Sequence, residues 1–421
     1  MSDQLSGIPE AVRAGRPTVW LNPHCRPAAE VLPGLAYGLP DVQAAEARWR
    51  RFDPLLKALF PDLESGRIDS ALLRLAPEVA AHVSGGADAA LWVKADHDLP
   101  VTGCIKARGG VYEVLVYAEA LALRAGWLSL GDSYARLATP EIARALSGYT
   151  VAVGSTGNLG FSVGVMARAL GIQVEVHMSH DAKAWKKRRL RDLGARVVEH
   201  AGDYGSAVTA ARGAFAGRAD AHFVDDESSV DLFLGYAAAA FDLERQLRAA
   251  NVTVDAQNPL HVYLPCGVGG APGGVTLGLK LLYGDAVRCI FVEPVAAPCM
   301  LVQLAAGLDR PVDVYAIGLD NRTAADGLAV SQASLLVAGT VGALIDAVVT
   351  VEDAALFRWV RDLWDRAALR LEPSAAAAFA AVAPSLAARP DASSGTHVVW
   401  TTGGSLLPEA EFQAALDAAS C

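Results

Sequence analysis

The chain has 421 residues, too many for one simple core, and 52% of them are apolar against 19% charged, which excludes a disordered polypeptide. A net charge of −10 argues against nucleic acid or an anionic membrane surface as the main partner. No run of about 18 apolar residues predicts a membrane span, the first residues lack the basic start and apolar core of a signal peptide, and the six cysteines fall in no CxxC or zinc spacing, so a reduced, cytoplasmic protein is expected.

Residues 1–95 read as loops and helices, with a helix over 42–51 from the spacing of Val42, Ala45 and Trp49. A short strand over 90–95 leads into a loop carrying Lys106, and 109–125 reads as helix. From residue 149 the pattern alternates. A strand over 149–154 ends in the turn 155–158, and a small-residue helix follows over 159–170. Next come a strand over 173–178, a basic helix over 184–193 expected to present a solvated face, a strand over 196–199, a helix over 204–216 and a strand over 222–224. Such alternation predicts a parallel, doubly wound sheet. A second series begins with a strand over 261–266, passes a glycine-rich turn and a helix over 274–283, and reaches a strand over 287–293. The alanine tract 375–378 predicts buried helix, 383–395 a loop, and 397–401 a last strand ending in Thr402-Gly403-Gly404. The expected division is a large discontinuous lobe, 1–147 plus 233–421, and a small α/β lobe, 148–232.

Four sites along this series carry chemistry. Lys106 sits among small residues in Pro100-Val-Thr-Gly-Cys-Ile-Lys-Ala-Arg-Gly-Gly110, between apolar flanks. Small neighbours admit a flat cofactor, and an apolar setting favours a nucleophilic amine, although an ordinary solvated lysine fits the window too. Cys266-Gly-Val-Gly-Gly-Ala-Pro-Gly-Gly274 joins a strand to a helix. Its backbone N–H groups can converge on a phosphate at the positive end of that helix. It is neither a P-loop nor a dinucleotide fingerprint, because no Gly-Lys-Ser/Thr follows and Pro272 occupies the sixth position. A tight turn that binds nothing is the plain alternative. Ser155, Thr156 and Gly157 form a turn able to hold a carboxylate, and Asn158 could meet a phenolic oxygen; the same residues also suit a helix N-cap. The Thr402 hydroxyl at a strand end could contact a ring nitrogen. A lysine for an aldehyde, a phosphate cup, a carboxylate turn and a ring-nitrogen partner are together what pyridoxal 5'-phosphate requires.

These runs resemble the bacterial D-serine dehydratases (D-serine ammonia-lyases), fold-type II pyridoxal-phosphate enzymes of tryptophan synthase β-like architecture. The resemblance spans nearly the whole chain. It includes Trp20-Leu-Asn-Pro-His24, Trp185-Lys-Lys187, Val224-Asp-Asp-Glu-Ser228, Leu232-Phe-Leu-Gly-Tyr236, Asp320-Asn-Arg-Thr-Ala-Ala-Asp-Gly-Leu-Ala-Val330, Leu371-Glu-Pro-Ser374 and Trp400-Thr-Thr-Gly-Gly404. It implies two doubly wound α/β lobes with the cofactor between them. Lys106 would be the Schiff-base lysine. Gly267, Val268, Gly269, Gly270, Gly273 and Gly274 would form the phosphate loop. Asn158 would face the phenolic oxygen and Thr402 the pyridine nitrogen. Ser155, Thr156 and Gly157 would take the substrate carboxylate, while Asp226 and Thr156 would assist proton transfer. Glu293 would join a monovalent cation such as K+, unless it is an ordinary strand-end carboxylate.

The implied reaction is α,β-elimination of D-serine to pyruvate and ammonia by a cytoplasmic monomer. The same chemistry on another 3-hydroxy amino acid, such as D-threonine, is the near alternative. A nucleotide-dependent oxidoreductase or a non-catalytic binding protein is the distant one. Three departures from the family pattern bear on substrate choice: Cys104 for serine, Ala271 for glycine and Ser405 for glycine. His177, His180 and His200 lack metal-ligand spacing.

Overall fold

Apolar and β-branched runs form β1 Thr18–Leu21, β2 Leu72–Arg74, β3 Ala90–Lys94, β4 Thr150–Gly154, β5 Gln173–Ser179, β6 Arg196–His200, β7 Ala221–Val224, β8 Leu260–Pro265, β9 Val287–Pro294, β10 Ala347–Val351 and β11 Thr396–Trp400. This computed structural model describes Leu5 and residues 7–419 except 156, 181, 203, 309, 390, 391 and 393. One sheet has seven strands in the order β1-β10-β9-β8-β11-β3-β2, the other four in the order β6-β5-β4-β7.

The five inner strands of the larger sheet run parallel. Only the edge strands β1 and β2 are antiparallel. Every residue of β8, β10 and β11 is buried, as parallel strands covered on both faces require. Side chains of β8 alternate between the two cores. Leu260, Val262 and Leu264 join the core that contains Val275 of the helix Gly270–Tyr283. Tyr263 joins the core that contains Ala375, Ala377 and Ala378 of the helix Pro373–Ala380. The alanine tract is thus fully buried helix, as expected, because only a methyl-sized face fits so close to the sheet.

The smaller sheet is wholly parallel. The helices Asn158–Ala169, Ala184–Asp192 and Tyr204–Phe215 alternate with its strands.

Several expectations need correction. The N-terminal 95 residues hold the edge strands β1 and β2, which are too short and too exposed to show a periodicity. The first long helix runs Leu39–Leu59 and continues past Pro54. The Lys106 loop enters its helix two residues early, through a π-helical turn Ala107–Val111 that precedes Tyr112–Arg124. Residues 383–395 are not all loop, since Val382–Ala388 is helical. β10 was not foreseen. The basic helix does not present a purely solvated face. Lys186 and Lys187 are buried, because Asp326 and Glu199 wait for them at 3.0 and 2.6 Å. No described helix is long and apolar enough to cross a membrane.

Candidate active site

The turns at Ser155, Gly267 and Thr402 follow the C-terminal ends of β4, β8 and β11, where open α/β sheets bind ligands. Lys106 lies immediately before the π-helical turn. The diglycine after it permits two close approaches. A Cβ on Gly109 would stand 2.5 Å from the Tyr236 ring, and one on Gly110 would stand 2.9 Å from Leu159. The Lys106 segment therefore sits tightly between the helices Val230–Ala237 and Asn158–Ala169. Its Nζ is 3.3 Å from Asp226 Oδ2 and 5.8 Å from the Tyr236 ring centroid. The expected apolar setting is accordingly only half found, since a carboxylate faces the amine.

Beside Lys106 in the cleft, β8 ends at Pro265 and the chain turns through Cys266, Gly267, Val268 and Gly269 into the helix Gly270–Tyr283. Gly269 has φ +112°, and a Cβ there would also meet Met300 at 2.5 Å, so glycine is required. Gly267, Val268, Gly269, Gly270, Ala271 and Pro272 line one cleft, together with Lys106, Ser155, Asn158, Tyr204, Asp226, Glu372, Ser374 and Thr402. Gly273 and Gly274 are not among its lining residues. They lie inside the helix, where a Cβ would strike Val337 at 2.4 Å and the Phe233 carbonyl at 2.5 Å respectively. Their smallness serves helix packing.

In the turn after β4, Ser155 Oγ accepts hydrogen bonds from the N–H groups of Gly157 (2.9 Å) and Gly160 (2.8 Å). The hydroxyl thus holds the turn closed. Gly157 has φ +136°, and the Lys186 side chain occupies the place a Cβ would take. Thr156, expected to bind carboxylate and assist proton transfer, lies outside the described residues. Asn158 Nδ2 donates to Glu372 Oε1 at 3.1 Å. Burial pushes the Glu372 carboxyl above the ordinary carboxylate range, and Lys186 opposes that shift. Neither Glu372 nor Ser374 was assigned a role from sequence, although both stand in the Leu371–Ser374 run; only folding brings them beside Asn158. Tyr204 was missed in the same way.

Two buried oxygens in the cleft have no hydrogen-bond partner among the described residues: Thr402 Oγ1 and Asp226 Oδ1. Unsatisfied buried groups are costly, and their presence here marks a place for a polar ligand. Outside the cleft, Glu293 is fully buried and accepts hydrogen bonds from the N–H groups of Met300 (2.7 Å) and Leu301 (3.0 Å). It thereby caps the helix Cys299–Ala306. Burial raises its pKa to about 8. Among the described residues no cluster of three His, Cys, Asp or Glu side chains could hold a metal ion. Of the three departures, Ala271 lines the cleft. Cys104 is buried against Ser162 Oγ at 3.6 Å, and burial raises its thiol pKa, so it stays neutral. Ser405 bonds through its N–H to the His97 carbonyl.

Residues 73–403 match the family model described as "Pyridoxal-phosphate dependent enzyme". The chain belongs to this family. The model covers every cleft residue named above. Proteins named "Probable D-serine dehydratase" are similar over nearly full length. One from Chromobacterium violaceum is 49% identical, covering 94% of this chain and 92% of that protein. One from Cupriavidus pinatubonensis is 50% identical, covering 97% and 95%. Among solved structures, diaminopropionate ammonia lyase from Escherichia coli superposes with a TM-score of 0.72 at 18% identity, covering 95% of this chain and 97% of that one. Threonine deaminase isoform 2 from Solanum lycopersicum gives 0.66 at 20%, covering 98% and 100%. The fold is that of fold-type II pyridoxal-phosphate enzymes.

The cleft fits the family's cofactor. An amine stands on one side and an N–H-lined glycine turn at a helix N-terminus on the other, with an unpartnered hydroxyl on Thr402.

Proposed function

We propose that this enzyme converts D-serine to pyruvate and ammonia by α,β-elimination. The observation that carries the reading is the pairing of Lys106 Nζ with Asp226 at 3.3 Å, in one cleft with the glycine turn and the unpartnered Thr402 hydroxyl. The names borne by relatives at 47–51% identity supply the substrate.

When bound, pyridoxal phosphate supplies an aldehyde for the substrate amine and an electron sink for the pair left at the α-carbon. Lys106 would carry it, Gly267 to Gly270 would hold its phosphate, Asn158 would face its phenolic oxygen, and Thr402 its ring nitrogen. Lys106 and Asp226 are close enough to pass a proton between them, so the pair can take the α-proton and keep it within the cleft. Ser155 and Gly157, with Thr156 assigned beside them from sequence, would take the substrate carboxylate. The β-hydroxyl leaves with a proton as water. Addition of water at C2 of the resulting enamine, with loss of ammonia, yields pyruvate.

A hydroxyl beside the ring nitrogen places no full charge there, which suits elimination better than transamination. We read segment 148–232 as the smaller lobe, and the protein as a cytoplasmic monomer. The free cysteines among the described residues fit a reducing compartment. A K+ role for Glu293 would draw on the lone pairs that its two oxygens keep beside the N–H groups of Met300 and Leu301.

The test is 2-oxo acid release from D- and L-serine and D- and L-threonine by the purified enzyme. D-serine is expected to give the highest kcat/KM. A higher kcat/KM for any of the other three would overturn the substrate assignment.

A further inference from the structure

Lys106 and Thr402 act on opposite parts of one ligand, yet they come from distant parts of the chain. Backbone contacts tie their loops together: Ile105 N–H donates to the Thr402 carbonyl at 2.8 Å, and Cys104 bridges Gly403. Behind this seam lies a side chain that the reaction as described leaves without a role. Asp96 sits in the turn Asp96–Asp98 just after β3 and is fully buried. Its Oδ2 accepts from Arg108 Nε at 2.6 Å and from Trp400 Nε1 at 2.8 Å. Its Oδ1 accepts from Arg108 Nη2 at 2.9 Å and from Ser70 Oγ at 2.6 Å.

Arg108 stands two residues after Lys106, and Trp400 two residues before Thr402. The Arg108 guanidinium lies 6.0 Å from the Trp400 ring centroid, and its Nη1 reaches Asp242 at 3.0 Å. A bidentate arginine–carboxylate pair fixes both distance and plane, which a single hydrogen bond does not. The next residues repeat the link, as His97 Nδ1 meets Thr401 Oγ1 at 2.8 Å.

We propose that Asp96 is a positioning residue for the reaction, gripping Arg108 and Trp400 at once and thereby setting Lys106 against Thr402 across the cofactor site. This rests on the roles given to Lys106 and Thr402, which Lys106→Ala tests separately. If Lys106→Ala kept wild-type turnover, that reading would fail. If Lys106→Ala is inactive and the variants below behave as wild type, only the present inference fails.

Trp400→Phe keeps the ring and removes the N–H, so it releases one arm of Asp96 without unpairing a charge. Asp96→Asn keeps the shape but cannot accept from every donor now present. For Trp400→Phe the expected result is a kcat lower by about tenfold with KM little changed, because small misplacements of reacting groups act on turnover. The visible absorbance of the bound cofactor should change with it. Asp96→Asn should show the same changes more strongly. Should Asp96→Asn fail to fold, Trp400→Phe decides alone. A lowered Tm with wild-type kcat, or a lowered kcat with an unchanged spectrum, would mean a purely structural role and overturn the proposal.

Discussion

Lys106→Ala removes the one lysine among the described residues that line the cleft, and with it the amine that would hold an aldehyde covalently. It should abolish turnover and the visible absorbance of the purified enzyme, and borohydride should then leave no label on the chain; wild-type turnover would refute the assignment. Thr402→Val tests the hydroxyl whose oxygen has no partner among the described residues. Loss of one hydrogen bond of about 1 kcal/mol corresponds to roughly a fivefold fall in kcat or cofactor affinity, measured by steady-state kinetics and cofactor titration. At this scale the lysine and the glycine turn were legible because each is a contiguous run of residues with a physical reason to be together. Glu372, Ser374 and Tyr204 were not, since a lone acid, serine or tyrosine carries no local sign of the cleft it will line.

Between elements, the glycines divide into two kinds. Those at 267–270 line the cleft, whereas Gly273, Gly274 and Gly278 let the helix Gly270–Tyr283 approach its neighbours, Gly274 and Gly278 the helix Val230–Ala237. A Cβ at Gly274 would meet the Phe233 carbonyl at 2.5 Å and the Ala237 nitrogen at 3.0 Å, both backbone atoms that cannot rotate away. Gly274→Ala should therefore cost about 3 kcal/mol of stability, seen as a lowered denaturant midpoint. A variant as stable as wild type would show that the helices can separate freely. From sequence all five glycines of 267–274 looked alike, because a run does not reveal which members face a ligand and which a neighbouring helix. The basic helix misled for a related reason. Its charge pattern reads as solvated, but Asp326 lies far along the chain and reaches Lys186 only in the fold.

Over the whole molecule, pH dependence follows from groups buried without charge. His261 and His397 stack at 4.6 Å between centroids. Burial lowers the pKa of His261 from 6.5 to about 3, with His397 and Arg288 adding to the shift, and burial lowers His397 to about 4. The unfolded chain binds protons on both below 6.5 while the folded chain does not. Their contribution to stability is therefore complete above that pH and is lost as pH falls toward 4 and 3. His261→Phe keeps a stacked ring without a titrating nitrogen. Its Tm should fall less than that of the wild type between about pH 7 and about pH 5; equal slopes in thermal melts would show that other groups govern acid unfolding.

Composition, alternation of strand and helix, and four short motifs were enough to determine an α/β chain built for a phosphate-bearing, aldehyde-bearing cofactor. Each of those signals is local: a period, a turn composition or a run of glycines has its physical cause within a few neighbouring residues. Tertiary structure alone decided that Asp226 faces Lys106 and that Glu372 meets Asn158. It also decided that Glu293 caps a helix, and that Asp96 joins the loops of Lys106 and Thr402. Those pairings depend on how parallel strands are ordered in the sheet, and strand order is set by the packing of the whole core.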